Sequence, residues 1–123
     1  MEKLNKNQLT NLFNKGTNEL NYGNPLKAIE CYKKILCIKE DNEIVLNNLA
    51  YAYFIIGDYI NSEKLILKAI NINKNNPNFY YNLGNLYKSA SYFPIQYVTY
   101  LIFIRVRAFG QQIGYKKHPK RVN

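Results

Sequence analysis

The sequence predicts an all-α fold, a solenoid of antiparallel helix pairs about two and a half repeats long. Three observations predict it: apolar residues recur at helical spacing, the pattern returns at a fixed interval, and glycine with Asn, Asp or Pro punctuates the runs. Sliding the chain 34 positions against itself aligns Leu12 with Leu46, Asn14 with Asn48 and Gly23 with Gly57. It also aligns Lys34 with Lys68, Ile38 with Ile72 and Asn42 with Asn76. A second step places Asn82, Leu83 and Tyr87 beneath Asn48, Leu49 and Tyr53. A period of this length is the mark of helix pairs that cannot bury their apolar faces alone and stack to do so.

The elements follow in order. Helices are expected near 8–21, 25–38, 43–56, 59–73 and 77–89. Leu46, Leu49, Ala50, Tyr53 and Phe54 form one stripe, and Leu65, Ala69, Ile70 and Ile72 a second. Gly57-Asp58 lies between them, and Gly23-Asn24-Pro25 separates the earlier pair. The glycines allow a left-handed residue after a first helix, Asn or Asp can cap the second, and Pro25 suits a first turn.

These residues resemble the tetratricopeptide repeat, whose pattern is W-x2-L-G-x2-Y, then A-x3-F, then P. Tyr80, Leu83, Gly84 and Tyr87 match the first helix of the pattern; Leu46, Leu49, Ala50 and Tyr53 match it one repeat earlier, and Leu12, Gly16, Ala28 and Tyr32 match the first unit. Small residues at Gly16, Ala28, Ala50, Ser62 and Gly84 are expected to let paired helices approach closely. Lys15, Glu19, Glu40 and Lys74 depart from the pattern. The resemblance covers about residues 9–90 and implies a right-handed α-solenoid, with repeats at 9–42 and 43–76 and a partial one at 77–90. Residues 1–90 form the repeat region, and 91–123 a divergent C-terminal tail, hydrophobic and then basic.

The resemblance also implies a function: the stacked first helices line a concave groove that holds an extended peptide or a partner's helix. Asn14, Asn48 and Asn82 share one repeat position there. An Asn side chain both donates and accepts, so a column of them can hold a peptide backbone without selecting its side chains. The column resembles an asparagine ladder known to line a repeat superhelix of this family. Ordinary solvated helix surface is the competing reading. In the family register the neighbouring groove positions are Phe13, Thr17, Asn47, Tyr51, Asn78, Tyr81 and Asn85. Tyr51 and Tyr81 offer flat apolar contact with a polar tip, or else pack between repeats. Repeat domains that clamp the C-terminal carboxylates of chaperones place Lys, Asn, Asn, Lys and Arg at fixed positions. Here those positions read Phe13, Thr17, Asn48, Asn78 and Asn82, and only Asn48 agrees. Without the cations little offsets desolvation of a carboxylate, which argues against that clamp.

Beyond Ala90 the composition changes. All three arginines and the one histidine fall in 91–123, and asparagine vanishes until the last residue. A degenerate or capping helix at about 93–106 is favoured there, although the β-branched and aromatic run Tyr97–Val106 also suits a strand. The tail closes the last repeat's open core, docks on a partner or membrane surface, or continues the array into unrelated coding sequence. The stretch Tyr115–Arg121 is basic and contains proline.

The formal charge of +9 is stepped: residues 1–63 hold seven Lys against eight acids, and 64–123 hold ten Lys or Arg and no acid. Cys31 and Cys37, six residues apart, point about 120° from each other on a helix and are read as reduced thiols. With one histidine, a Cys/His zinc site lacks ligands, so no metal and no cofactor is expected. No Gly-rich phosphate loop, nucleophile elbow or HExxH occurs, so the chain is read as a non-enzyme. The N-terminus lacks a signal peptide's apolar core, and the apolar Tyr92–Ile104 is shorter than the roughly 20 residues a spanning helix needs. The reading is therefore a cytoplasmic scaffold that binds a protein or peptide. Self-association through the open C-terminal repeat is a further expectation, and nucleic acid and membrane surface are the disfavoured partners. The alternative is a peripheral membrane- or RNA-associated adaptor acting through the basic, aromatic tail.

Overall fold

Helix α1 begins at Lys6 because Asn5 and Gln8 close a reciprocal cap. The Gln8 N–H donates to Asn5 Oδ1 at 2.9 Å, and the Asn5 N–H donates to Gln8 Oε1 at 2.8 Å. The helices of this computed structural model are α1 (Lys6–Asn21), α2 (Pro25–Leu36), α3 (Glu43–Ile55), α4 (Tyr59–Ile72) and α5 (Pro77–Ala90). The structure describes residues 3–91, 102, 103 and 105–107, and among them there is no strand. Those last five residues are also helical; the rest of the expected 93–106 helix and the basic stretch 115–121 lie outside the described residues.

The turn inside each pair is the same device twice. Gly23 and Gly57 sit at φ of 80° and 82°. The next N–H reaches back five residues, Asn24 to the Glu19 carbonyl at 2.8 Å and Asp58 to the Tyr53 carbonyl at 2.9 Å. This satisfies carbonyls that the helix end leaves unpaired. The N-caps differ. Asp58 Oδ1 accepts from the Asn61 N–H at 3.2 Å, whereas the Asn24 side chain makes no cap bond. Its Nδ2 instead donates to Glu19 Oε2 at 3.0 Å, a bond to a charged acceptor. The expected capping role is thus filled at Asp58 and not at Asn24. Glu19, a departure from the repeat pattern, has a partner here. Helix α2 stops at Leu36, two residues short of expectation, because the Ile38 and Lys39 N–H groups both turn back onto the Ile35 carbonyl.

Adjacent helices pack in pairs: α1 on α2, α2 on α3 and α3 on α4. The α1–α2–α3 core is Ala28, Ile29, Tyr32, Ile35, Val45, Leu49 and Ala52, with Leu12 and Phe13 against it. Leu46, Ala69 and Phe79 join α3 and α4 to α5, as do Ala50, Ile66 and Leu86. Each fully buried Leu, Ile or Phe contributes about 1.5–3 kcal/mol. Close approach depends on the small residues. A Cβ on Gly16 would lie 2.8 Å from Tyr32 Cε1, and Ser62 Oγ donates to the Ala50 carbonyl at 2.7 Å across the α3–α4 interface. Gly84 differs, since a Cβ there meets nothing within 4 Å. Ile72, expected in the second stripe, is exposed, and Ile66 takes the buried place.

The chain divides into two compact units, Met1–Lys88 and Ser89–Asn123. The first contains α1 to α4 and nearly all of α5. It carries every candidate site residue.

Candidate functional site

The first helices of the repeats are α1, α3 and α5, and they carry Asn14, Asn48 and Asn82 at equivalent positions. The three asparagines occupy different environments. Asn14 is exposed on α1. Asn48 is half-buried and lies beside the hydroxyl of Tyr32, a fully buried residue of α2, close enough to hold its pKa down. Asn82 is half-buried, and its Nδ2 donates to Asn47 Oδ1 at 3.0 Å, linking α5 to α3.

The Tyr32 hydroxyl lies 3.2 Å from Thr17 Oγ1, and the Thr17 hydroxyl also donates to the Phe13 carbonyl at 3.1 Å. Phe13 packs half-buried against the tilted Tyr32 ring, with centroids 6.0 Å apart. Burial raises the Tyr32 hydroxyl above its ordinary pKa, and the bond to Thr17 and the neighbouring Asn48 side chain oppose that rise. Phe13 and Thr17 therefore serve the packing beneath the column more than its surface. Asn47, 7% exposed, is likewise a strut between first helices.

Tyr51, Asn78 and Tyr81 remain as surface groups, and Asn85 is half-buried. Tyr81 is 70% exposed and Tyr51 44%, the latter stacked on Phe54 with centroids 6.3 Å apart. Asn78 is exposed. Asn82 and Asn85 line a crevice of about 10 Å³ with Tyr51, Phe54, Ser62 and Ile66, space for about one water. The structure thus brings Asn82, Asn47, Tyr51 and Asn85 together at the α3–α5 junction. Asn48, Thr17 and Phe13 meet around Tyr32.

A second hollow, of about 310 Å³, was not among the expected positions except through Phe13. Lys6, Leu9, Thr10 and Phe13 of α1, Ile35, Lys39 and Asn42, and Ile44 and Val45 of α3 line it. The period did offer a signal, because Thr10 and Ile44 occupy the same repeat position as Asn78. Among the described residues no acidic, His or Cys group could hold a metal, and no helix is long and apolar enough to cross a membrane.

Two family models, each described as tetratricopeptide repeat, match residues 45–76 and 65–96. The first stretch runs from within α3 through α4; the second runs from within α4 through α5. No curated protein matches the chain. Repeats of this family generally mediate protein–protein interaction and are typically non-catalytic. The matched stretches, the paired helices and the recurring turn agree: residues 45–96 of this chain carry the tetratricopeptide repeat.

Proposed function

We propose that the chain is a protein-interaction scaffold that holds an extended segment of a partner protein along its first helices. Asn14, Asn48 and Asn82 form the rungs, and Tyr51, Asn78, Tyr81 and Asn85 flank them. The observation that carries this reading is the anchoring of one rung. Asn82 is tied to Asn47, so its amide is oriented before a partner arrives, and Asn48 stands beside the buried Tyr32 hydroxyl. Asn82 spends one N–H on Asn47 and keeps its other N–H and its carbonyl oxygen for a peptide unit. Rotamer freedom already surrendered is not lost again on binding, which favours affinity.

The partner is a peptide segment, the action is non-catalytic, and the working place is the cytoplasm. A random-peptide display library, panned on the intact chain and on an Asn48→Ala/Asn82→Ala double variant, tests this. Both proteins are first matched by circular dichroism. Peptides retained by the intact chain and lost by the folded double variant support the reading. Equal capture by both proteins contradicts it.

A further inference from the structure

We infer that the 310 Å³ hollow beside Phe13 is an anchor pocket for a partner segment carrying a bulky apolar residue next to an acidic one. The inference rests on the reading of the first helices as a peptide surface and adds the partner's chemistry. The hollow continues the asparagine column by one helical turn. Thr10 lies four residues before Asn14 on α1, and Ile44 four before Asn48 on α3.

Its wall is apolar over most of its extent, from Leu9, Phe13, Ile35, Ile44 and Val45. Ile44 is exposed, so apolar surface stands in water there. The volume sits at the small end of the roughly 300–1,000 Å³ typical of ligand pockets, which suits one or two side chains and not a long stretch. An asparagine column reads backbone and leaves side chains unselected; this hollow is where a side chain is selected.

Charge sets the neighbour of that anchor. Lys6 and Lys39, both exposed, are the charged residues among those lining the hollow. Glu40, Asp41 and Glu43 line a different hollow on the α2–α3 turn, which shares Lys39, Asn42 and Ile44 with the first. Those acids repel a carboxylate on the turn side, so the partner's acid sits on the α1 side, near Lys6. Like charges placed against a partner give specificity by exclusion.

The same display library, panned on the intact chain, tests the inference with three folded variants. Peptides from the intact chain carry an apolar residue with an adjacent acid, enriched at least fivefold over the input library. A Lys6→Glu/Lys39→Glu variant, altered only at exposed positions, replaces the acid with Lys or Arg. An Ile44→Asp variant loses the apolar preference. The inference is overturned if no peptide is captured, if the anchors have no acidic neighbour, or if charge reversal leaves that preference unchanged. The asparagine double variant separates the two claims. Loss of every peptide there, with no response to charge reversal, leaves the groove standing and removes the anchor pocket. Unchanged capture there, with a switched charge preference, removes the asparagine rungs and leaves the pocket.

Discussion

Asn82 donates its side-chain N–H to Asn47 Oδ1 at 3.0 Å, and this bond joins the first helices of successive repeats. The two residues stand 35 positions apart, one more than the repeat period. A residue of the asparagine column therefore meets the residue just before the previous rung. Removing either amide costs an interhelical bond. Asn47→Ala and Asn82→Ala are each expected to lower stability by about 1 kcal/mol, with a double variant costing less than the sum. Urea unfolding of the four proteins checks this, and additive losses would show that the bond is not a coupling.

Glycine matters at one of the two pattern positions that carry it. Gly16→Ala is expected to destabilise by about 1–3 kcal/mol, because the new methyl group meets the buried Tyr32 ring, overriding the alanine helix preference. Gly84→Ala meets nothing and is expected to stabilise α5 by about 0.5–1 kcal/mol. Opposite shifts in thermal midpoint are the outcome to look for.

The two second helices respond differently to loss of their N-cap residue. Asp58→Ala removes the acceptor for the Asn61 N–H and is expected to cost about 1 kcal/mol. Asn24 accepts no cap bond, so Asn24→Ala loses only its exposed link to Glu19 and is expected to cost less than about 0.5 kcal/mol. Chemical denaturation of both variants distinguishes the two turns.

Alkali probes Tyr32. Burial raises the folded hydroxyl above its ordinary pKa of 10.0, so folding favours the protonated form. That contribution is complete below about pH 10 and is lost as pH rises from there through the folded value. The stability of the intact chain is therefore expected to fall above pH 10, and more steeply than that of Tyr32→Phe. Tyr32→Phe also removes the hydroxyl bonded to Thr17 Oγ1. Denaturation midpoints across pH 8–12 provide the check.

The helices were legible because their signals are local. The left-handed glycines, the Asp58 cap and the apolar spacing of Leu46, Leu49 and Ala50 each depend on residues within a few positions. Legibility fades where a partner outside the repeat decides the outcome. Ile66 and Ile72 look alike in sequence, yet Ile66 is buried against α3 and α5 while Ile72 is exposed. The end of α2 depended on two N–H groups sharing the Ile35 carbonyl, which apolar periodicity does not encode. At the site, the asparagine column was visible as a period. The burial of Asn47 and its bond from Asn82 were not, since both arise between helices.

Side-chain amide resonances of the labelled chain, followed during titration with one selected peptide and with a scrambled peptide of the same composition, show whether oriented asparagine amides hold a partner's backbone. The Asn48 and Asn82 amide signals are expected to shift with both peptides, at different affinities, while the Asn47 amide keeps its partner. Shifts confined to other residues, with the Asn48 and Asn82 amides unmoved at saturation, would contradict that hold on the backbone.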